Sequence, residues 1–236
     1  MPLLPFRERL GRGDVLIADG AWGTMLMARG LAPGTPPESF VLEQPDTIST
    51  IAGLYLEAGA DLITTNTFGG TTLNLSGYAL ADRADEINRR AVTLVREAAA
   101  GRAYVSASVG PSARILAPLG DTVPEEVRAA FERQIRVLVE AGADLICVET
   151  MTDLQEARLA VEAARTVSGE IPVLATMTFD PTPRGFFTIM GVPVAEAARA
   201  LGAAGADVLG ANCGHGIDAM VEVARAFRKV TTLPLI

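Results

Sequence analysis

The sequence has few of the features that mark secreted, membrane-bound or nucleic-acid-binding proteins. Its 236 residues carry a net charge of −8 and contain no cluster of Lys or Arg, which argues against nucleic acid or an anionic membrane surface as a partner. No apolar run reaches the roughly 18 residues of a membrane span, and the first residues are too broken by proline for a secretory signal. We therefore expect a cytoplasmic protein that binds a small molecule or another protein domain.

Cysteine and histidine are also scarce. The two cysteines, Cys147 and Cys213, lie in apolar contexts of a protein expected in a reducing compartment, so a structural disulfide is not expected. The single histidine is His215. No loop matches the Gly-x-Gly-x-x-Gly dinucleotide pattern or the Lys-containing phosphate loop, so nucleotide binding has no support in the sequence.

What the sequence does contain is one pattern that occurs three times. In each copy a helix ends at Ala-Gly, an Ala-Asp turn follows, and an apolar strand begins, at Leu62, Leu145 and Val208. Glycine is common where a helix ends in the left-handed conformation, and uninterrupted apolar strands are typical of parallel sheets that are covered on both faces. We expect the three units to bring polar residues to one rim of such a sheet.

The same alternation extends along the whole chain. The predicted strands are 15–18, 62–65, 104–109, 145–150, 173–178, one that ends at residue 213, and the start of a seventh at 233–236. The predicted helices begin at residue 46 or 47 and then cover about 82–100, 122–141, 153–167, 194–204 and 217–229. Residues 1–13 are interpreted as a charged lead-in, and the proline-rich residues 31–45 as a loop without regular structure.

Strict alternation of strands and helices predicts an α/β fold, a (β/α)₈ TIM-type barrel. Such barrels usually have eight units and about 250 residues. The sequence supplies six units and the beginning of strand seven. We therefore expect one barrel domain over residues 1–236 that is incomplete at its C-terminus and belongs to a longer protein.

The polar residues at the strand ends are the candidates for function, because the carboxyl ends of the strands form the working face of such barrels. They are Asp19, Asn66, Ser108, Glu149, Thr178 with Asp180, and Cys213. The alternative is that these side chains cap the following helices or satisfy loop amides, and this alternative stays open for all but Glu149 and Cys213.

Glu149 follows an apolar strand and would be costly to bury without a cation, which could be a ligand ammonium group or a neighbouring Arg. Cys213 could be a small hydrophobic residue or a metal ligand. Together with His215 it forms Cys-x-His, which has ligand types suitable for zinc but not one of the common spacings. Cys147, deeper in its strand, is interpreted as a core residue.

Six ordered motifs, covering about residues 8–236, resemble the homocysteine S-methyltransferase family. They are Asp19-Gly20-Ala21-Trp22-Gly23-Thr24, Thr65-Asn66-Thr67-Phe68-Gly69, Gly110-Pro111, Glu149-Thr150, Met177-Thr178-Phe179 and Gly210-Ala211-Asn212-Cys213. The closest likeness is to the homocysteine-binding domain of cobalamin-dependent methionine synthases, and betaine–homocysteine methyltransferases are more distant.

The resemblance implies a zinc ion held by three cysteine thiolates, to which the sulfur of homocysteine also binds. Cys213 matches the first of these metal ligands, and the family's other two lie in a Gly-Gly-Cys-Cys-Gly-Thr motif that would follow Ile236. Asp19, Gly20, Ala21 and Glu149 match positions that hold the amino and carboxylate groups of homocysteine. Thr65 and Asn66 match part of the substrate pocket. His215 matches no required ligand.

The implied reaction is the attack of a zinc-bound thiolate on an activated methyl group, which gives methionine. The resemblance implies methylcobalamin on a separate domain as the donor, with cobalamin- and folate-binding domains of the same longer protein as partners. Two alternatives remain open. One is a stand-alone enzyme that uses S-methylmethionine or betaine, and the other is a non-catalytic barrel with an incomplete metal site.

Overall fold

A five-stranded parallel sheet forms the centre of the computed structural model, which describes residues 3–236. The strands pair in the order β1, β2, β3, β4 and β7. Their bounds are Leu62–Thr64, Tyr104–Val109, Leu145–Met151, Val173–Met177 and Val208–Ala211. Each strand is connected to the next by a helical crossover, so all five carboxyl ends lie at the same rim.

Two further segments extend the sheet at its edges. Ala18 pairs with Leu62 of β1, and Leu235 pairs with Leu209 of β7, both in parallel. The predicted strand 15–18 is therefore wrong as a regular strand, because it forms a single bridge and leaves Val15 89% and Ile17 58% exposed. Its place in the strand order is nevertheless the predicted one, and the start of the seventh strand lies beside β7 as expected.

Five long helices cover the outer face of the sheet, and one more precedes β1. α4 spans Pro45–Glu57, α6 Ala84–Ala99, α7 Pro124–Glu140, α8 Leu154–Val167, α9 Val194–Ala204 and α10 Ile217–Arg228. These bounds agree with the predicted helices to within about two residues, which is the usual uncertainty of helix ends. The caps agree less well, since α4 begins at Pro45 without a side-chain cap from Asp46 or Thr47.

The short elements differ most from the prediction. The lead-in contains α1, Phe6–Gly11, and the first strand segment is followed by α2, Trp22–Met27. The region 31–45 includes a 3₁₀ turn at Pro37–Ser39 and α3 at Phe40–Glu43. Another short helix, α5, spans Thr72–Leu75. α3 is regular because Phe40 and Val41 are buried in the main core, an anchoring that the proline-rich composition does not reveal.

A small antiparallel hairpin follows β4 and was also not predicted. It consists of β5, Asp180–Thr182, and β6, Gly185–Phe187. The chain reverses at Pro183 and Arg184, and Gly185, which begins β6, has a positive φ of 118° that glycine adopts more easily than other residues. The hairpin lies above the carboxyl end of β4, at the rim where the predicted site residues are found.

Side chains alternate between two cores, as expected for strands that face a barrel interior and a layer of helices. The inner cluster contains one or two residues from each strand together with a plug from α1: Phe6, Leu62, Tyr104, Leu145, Cys147, Leu174 and Val208. Phe6 packs edge-on against Tyr104, with ring centroids 5.5 Å apart. This cluster closes the amino end of the interior, so the carboxyl end is left for a cavity.

The architecture is that of a (β/α)₈-type barrel, represented by six strand–helix units and the pairing segment of a seventh. Within the described residues 3–236, none of the helices combines the length and the apolar character needed to cross a membrane.

Candidate active site

A cavity of about 630 Å³ lies at the carboxyl end of the strands, above the inner cluster. Seven of the residues predicted from the sequence line it: Asp19, Gly20, Ala21, Thr65, Asn66, Glu149 and Cys213. They come from the first strand segment, β1, β3 and β7, so the barrel brings together positions that are almost 200 residues apart in the chain. Ser108, at the end of β2, also lines the cavity.

Asp19 forms three hydrogen bonds that hold the first loop against β1. Its Oδ1 accepts from the Thr64 hydroxyl at 2.7 Å, and its Oδ2 accepts from the Thr64 backbone N–H at 2.7 Å and from the Trp22 indole at 2.8 Å. Burial raises the pKa of Asp19, while the hydrogen bonds from Thr64 and Trp22 oppose that shift. The carboxylate therefore shapes the loop that carries Gly20 and Ala21.

The loop after Asp19 approaches α4 closely. A Cβ atom on Gly20 would lie 3.0 Å from the Tyr55 hydroxyl oxygen, so a side chain at this position would force the ring aside. The Tyr55 hydroxyl donates to the Ala21 carbonyl at 3.1 Å. Glycine at position 20 thus lets the backbone lie between the cavity and Tyr55.

Thr65 and Asn66 line the cavity, but their polar groups are largely used by the surrounding loops. Thr65 shares a 2.7 Å hydrogen bond with the Thr67 hydroxyl and accepts from the Ser108 N–H at 3.1 Å. Asn66 donates through Nδ2 to the Pro37 carbonyl at 2.7 Å. Both residues are buried, so they form a preorganised wall.

Glu149 projects from β3 into the cavity and is held by two neutral donors. Ser108 Oγ donates to Oε1 at 2.5 Å, and Asn212 Nδ2 donates to Oε2 at 3.1 Å. Burial raises the pKa of Glu149, the hydrogen bond from Ser108 opposes this shift, and the negative charge of Asp19 adds to it. No Arg or Lys within residues 3–236 forms an ion pair with it, so the alternative of an internal salt bridge is not realised in the described chain.

Cys213 lines the same cavity, just after β7, and is exposed. Its backbone has a positive φ of 52°. Its sulfur lies 3.6 Å from Thr150 Oγ1 and 3.6 Å from Asn212 Nδ2. Cys147 also borders the cavity, but it is buried in the inner cluster and burial raises the pKa of its thiol, in agreement with its interpretation as a core residue. Both cysteines are free thiols.

Three of the weaker candidates do not line the cavity. His215 lies at the rim with Nε2 3.1 Å from Asp180 Oδ1, and both side chains are about half exposed. Thr178 donates to the Asn212 backbone carbonyl at 3.1 Å. These contacts fit the alternative in which polar residues at strand ends stabilise the loops around them.

The matching family model is that for homocysteine S-methyltransferase, and it matches residues 16–236. The chain belongs to the homocysteine S-methyltransferase family. The match covers all of the strands and every residue that lines the cavity.

Relatives in this family include proteins of two kinds. Methionine synthase of Mycobacterium leprae is 33% identical over 237 residues, which cover 94% of this chain and 19% of the relative. Betaine–homocysteine S-methyltransferase 1 of Danio rerio is 32% identical over 211 residues, which cover 87% of this chain and 50% of the relative. The chain therefore spans about a fifth and about half of these relatives.

A solved structure of the homocysteine methyltransferase MmuM from Escherichia coli, in its metallated form, has the same fold. Its TM-score is 0.84 at 24% identity, and the alignment covers 99% of this chain and 86% of that chain. At this identity the likeness supports the fold and not the details of the site.

The described residues do not form a zinc site among themselves. Within residues 3–236, no group of three Cys, His, Asp or Glu side chains is arranged to hold a metal ion. A protein zinc site usually has at least three protein ligands. Among the described residues, the cavity offers the exposed thiol of Cys213 and the buried thiol of Cys147, and not a complete coordination shell.

Several residues of the cavity were not predicted as site residues. They are Trp22, Phe68, Thr150, Thr176 and Asn212. Trp22, Thr150 and Asn212 each directly follow or precede a predicted site residue, so the signal available was adjacency within the motifs. A strict alternation of side chains would have turned Thr150 away from the cavity, and the irregular end of β3 is what brings it in.

Proposed function

We propose that this chain binds homocysteine in the cavity at the carboxyl end of the barrel and transfers a methyl group to its thiol, giving methionine. The observation that carries the proposal is the Glu149 carboxylate, which lies in the same cavity as Cys213 and is held by neutral donors alone among the described residues. A partly buried carboxylate of this kind favours a ligand that brings its own positive charge.

In the proposed complex, the ammonium group of homocysteine binds the Glu149 carboxylate. Ser108 and Asn212 each donate to one of the two carboxylate oxygens, which fixes the direction of the carboxylate before the substrate arrives. The substrate carboxylate faces the backbone of Gly20 and Ala21, whose loop is anchored by Asp19. The substrate thiol then points towards Cys213.

The methyl transfer is a single displacement. The homocysteine thiol releases its proton to water, and the sulfur forms a bond to the methyl carbon. The bond between that carbon and the donor breaks, with its electron pair remaining on the donor. A free thiol has a pKa of about 8.5 and is only slightly ionised at neutral pH, so the reaction needs a means of favouring the thiolate.

We propose that a zinc ion favours the thiolate form of homocysteine, with Cys213 as one of its thiolate ligands and the remaining ligands outside the described residues. Metal coordination deprotonates a thiol outright, which is the chemistry that the ion supplies when it is bound. The support is the family membership and the position of Cys213 at the cavity.

For the methyl donor we propose methylcobalamin carried on a separate domain of a longer protein that also has a folate-binding domain. The support is the relationship to methionine synthases, of which this chain matches about a fifth. A second candidate is a small donor such as betaine or S-methylmethionine, which the relationship to betaine–homocysteine S-methyltransferase favours. Methionine formation by the natural full-length protein, assayed with each donor in turn, distinguishes them.

The substrate assignment is tested by calorimetric titration of the natural full-length protein with homocysteine. Glu149→Gln should weaken binding at least about tenfold, because a charge-assisted contact to the ammonium group is lost. Glu57→Gln, at an exposed carboxylate on α4, is the matched control and should leave the affinity unchanged. Equal affinities of the protein and its Glu149→Gln variant would remove Glu149 from the substrate site, and a failure of the unmodified protein to bind homocysteine would overturn the proposed function.

A further inference from the structure

Asn212 lies in the chain between the end of β7 and Cys213. Its side chain uses all of its hydrogen-bonding groups. Its Oδ1 accepts from the Thr150 N–H at 3.0 Å and from the Thr176 hydroxyl at 2.9 Å. Its Nδ2 donates to Thr150 Oγ1 at 2.8 Å and to Glu149 Oε2 at 3.1 Å. A carboxamide offers two donors and two acceptor lone pairs, so no capacity of this side chain is left over.

These partners allow one orientation of the amide. The Thr150 backbone N–H can only donate, so it requires an oxygen opposite it. The ionised Glu149 carboxylate can only accept, so it requires the NH₂ group. A reversed Asn212 amide would place donor against donor and acceptor against acceptor. The direction of the carboxamide is therefore determined by its neighbours.

The end of β3 explains why such a side chain is needed. The pairing of β3 with β4 shifts register between Val148 and Met151, and Thr150 has a positive φ of 60°. Val148 and Met151 both pack in the outer core, while Glu149 and Thr150 both line the cavity. A β-branched residue rarely adopts this backbone conformation without support, and Asn212 Oδ1 supplies a hydrogen-bond partner for the displaced N–H of Thr150.

Asn212 also contacts Cys213, the next residue in the chain. Its Nδ2 lies 3.6 Å from the sulfur of Cys213, and Thr150 Oγ1 lies at the same distance from that sulfur. Cys213 has a positive φ of 52°, so its backbone too is in a conformation that most residues avoid. The Asn212 carboxamide thus contacts both Glu149, which is proposed to bind the substrate amine, and Cys213, which is proposed to lie near the substrate sulfur.

We infer that Asn212 is a positioning residue that sets the distance between the Glu149 carboxylate, which binds the amine, and the thiol of Cys213. The site thereby selects an acid with an amine at C2 and a thiol at C4 over thiols that lack the amine. This inference rests on the proposed function. It adds that recognition of the substrate amine depends on the neutral side chain of Asn212, which acts by holding the Glu149 carboxylate.

The test compares two ligands and four forms of the natural full-length protein. The ligands are homocysteine and 4-mercaptobutanoate, which keeps the thiol and the carboxylate but has no amine. The variants are Asn212→Ala, Asn212→Ser and, as the matched control, Thr178→Val, which removes a hydrogen bond to the Asn212 backbone carbonyl but none to its side chain. Dissociation constants come from calorimetry, and thermal unfolding reports the stability of each form.

The unmodified protein should prefer homocysteine to 4-mercaptobutanoate, and Asn212→Ala should reduce that preference at least about fivefold, because Glu149 loses a fixed donor. Thr178→Val should keep the preference even where it lowers the thermal midpoint, because Thr178 does not line the cavity. If Asn212→Ala does not fold, Asn212→Ser carries the test, since serine keeps a polar side chain at this position but ends where the Asn212 Cγ lies and is too short to reach Glu149.

Two results would overturn the inference. One is an unchanged preference in Asn212→Ala or Asn212→Ser, and the other is an equal loss of preference in Thr178→Val, which would indicate a general role in holding strand ends. Failure of the proposed function has a different signature, because the unmodified protein would then show no preference for homocysteine at all.

Discussion

Asp19 and Glu149 are two partly buried carboxylates that face one cavity, yet their surroundings give them different tasks. Burial raises the pKa of both. Asp19 accepts three hydrogen bonds that tie the first loop to β1, whereas Glu149 accepts one to each oxygen from side chains that point in from its flanks. The first carboxylate is used by the protein itself, and the second keeps acceptor capacity for a ligand.

The only histidine can be tested as a bystander. His215 faces Asp180 at 3.1 Å across the rim and does not line the cavity. His215→Ala should leave homocysteine affinity and the zinc content of the natural full-length protein unchanged within about twofold, since the imidazole is half exposed at the rim and does not line the cavity. Calorimetry and metal analysis measure the two quantities. A tenfold loss of affinity, or loss of the metal, would place the imidazole in the site and show that this chain uses a substitute ligand.

The positions of the site residues at the strand ends could be predicted from the sequence, because parallel strands present their carboxyl ends at one rim. The roles of Thr150 and Asn212 could not. Thr150 enters the cavity through a register shift in β3, and hydrophobic alternation along a strand does not reveal where pairing becomes irregular. Asn212 gains its partners from β3 and β4, which lie far away in the sequence.

Among the elements, the region before α4 and the loop after β1 are joined by two contacts. Gly69 N–H donates to Glu38 Oε1 at 2.5 Å, and Asn66 Nδ2 donates to the Pro37 carbonyl. Glu38 is only 2% exposed, and burial raises the pKa of its carboxyl while the Gly69 N–H opposes this. One wall of the cavity therefore depends on a buried acid that is neutral over a wider pH range than an exposed one.

The sign of the pH effect follows from that shift. Folding favours the protonated form of Glu38, so its ionisation costs nothing below the unfolded pKa of about 4.3, and the cost grows as the pH rises towards the folded pKa. Glu38→Gln keeps an acceptor for the Gly69 N–H and removes the charge. We expect the variant to unfold about 2–4 °C higher than the unmodified protein at neutral pH, with the difference disappearing near pH 4, if the charge costs ~1 kcal/mol.

Thermal unfolding between about pH 4 and pH 8 measures this difference. Glu43→Gln is the matched control, because Glu43 lies on the adjacent α3 and is exposed. It should show no difference that depends on pH. A stabilisation of Glu38→Gln that increases as the pH falls would contradict the assignment of a raised pKa to Glu38.

The long elements were predictable and the short ones were not, for a physical reason. A helix such as α9, Val194–Ala204, has room for an apolar face with a period of 3.6 residues and ends at Gly205, so its bounds can be read from the sequence. α2 and α3 have six and four residues, too few for a period to show. They form because Leu26, Phe40 and Val41 are buried by the rest of the barrel.

At the scale of the whole molecule, the sheet is paired more weakly at its two outer segments than at its centre. The segment at Ala18 has β1 as its partner, and the segment at Leu235 has β7, each through a single bridge. Val15 and Ile17 are exposed at the first edge, and Ile236 at the other. Exposed apolar edges of this kind favour association with other strands.

We expect two properties of the polypeptide of residues 1–236. It should self-associate because of its exposed edges, and it should hold zinc weakly. Among the described residues, Cys213 is the one exposed thiol, burial raises the pKa of the Cys147 thiol, and His215 Nε2 lies 3.1 Å from Asp180 Oδ1. A single thiolate leaves the ion mostly to solvent, whereas a stable zinc site needs at least three protein ligands.

After incubation with equimolar zinc and desalting, we expect less than about 0.1 zinc per chain, the same as for Cys213→Ser, and light scattering should report species larger than the monomer. A monomer that retains stoichiometric zinc at nanomolar affinity would show that the described residues contain ligands which the geometry does not reveal. A zinc content that is high but falls in Cys213→Ser would assign the retained ion to this cavity.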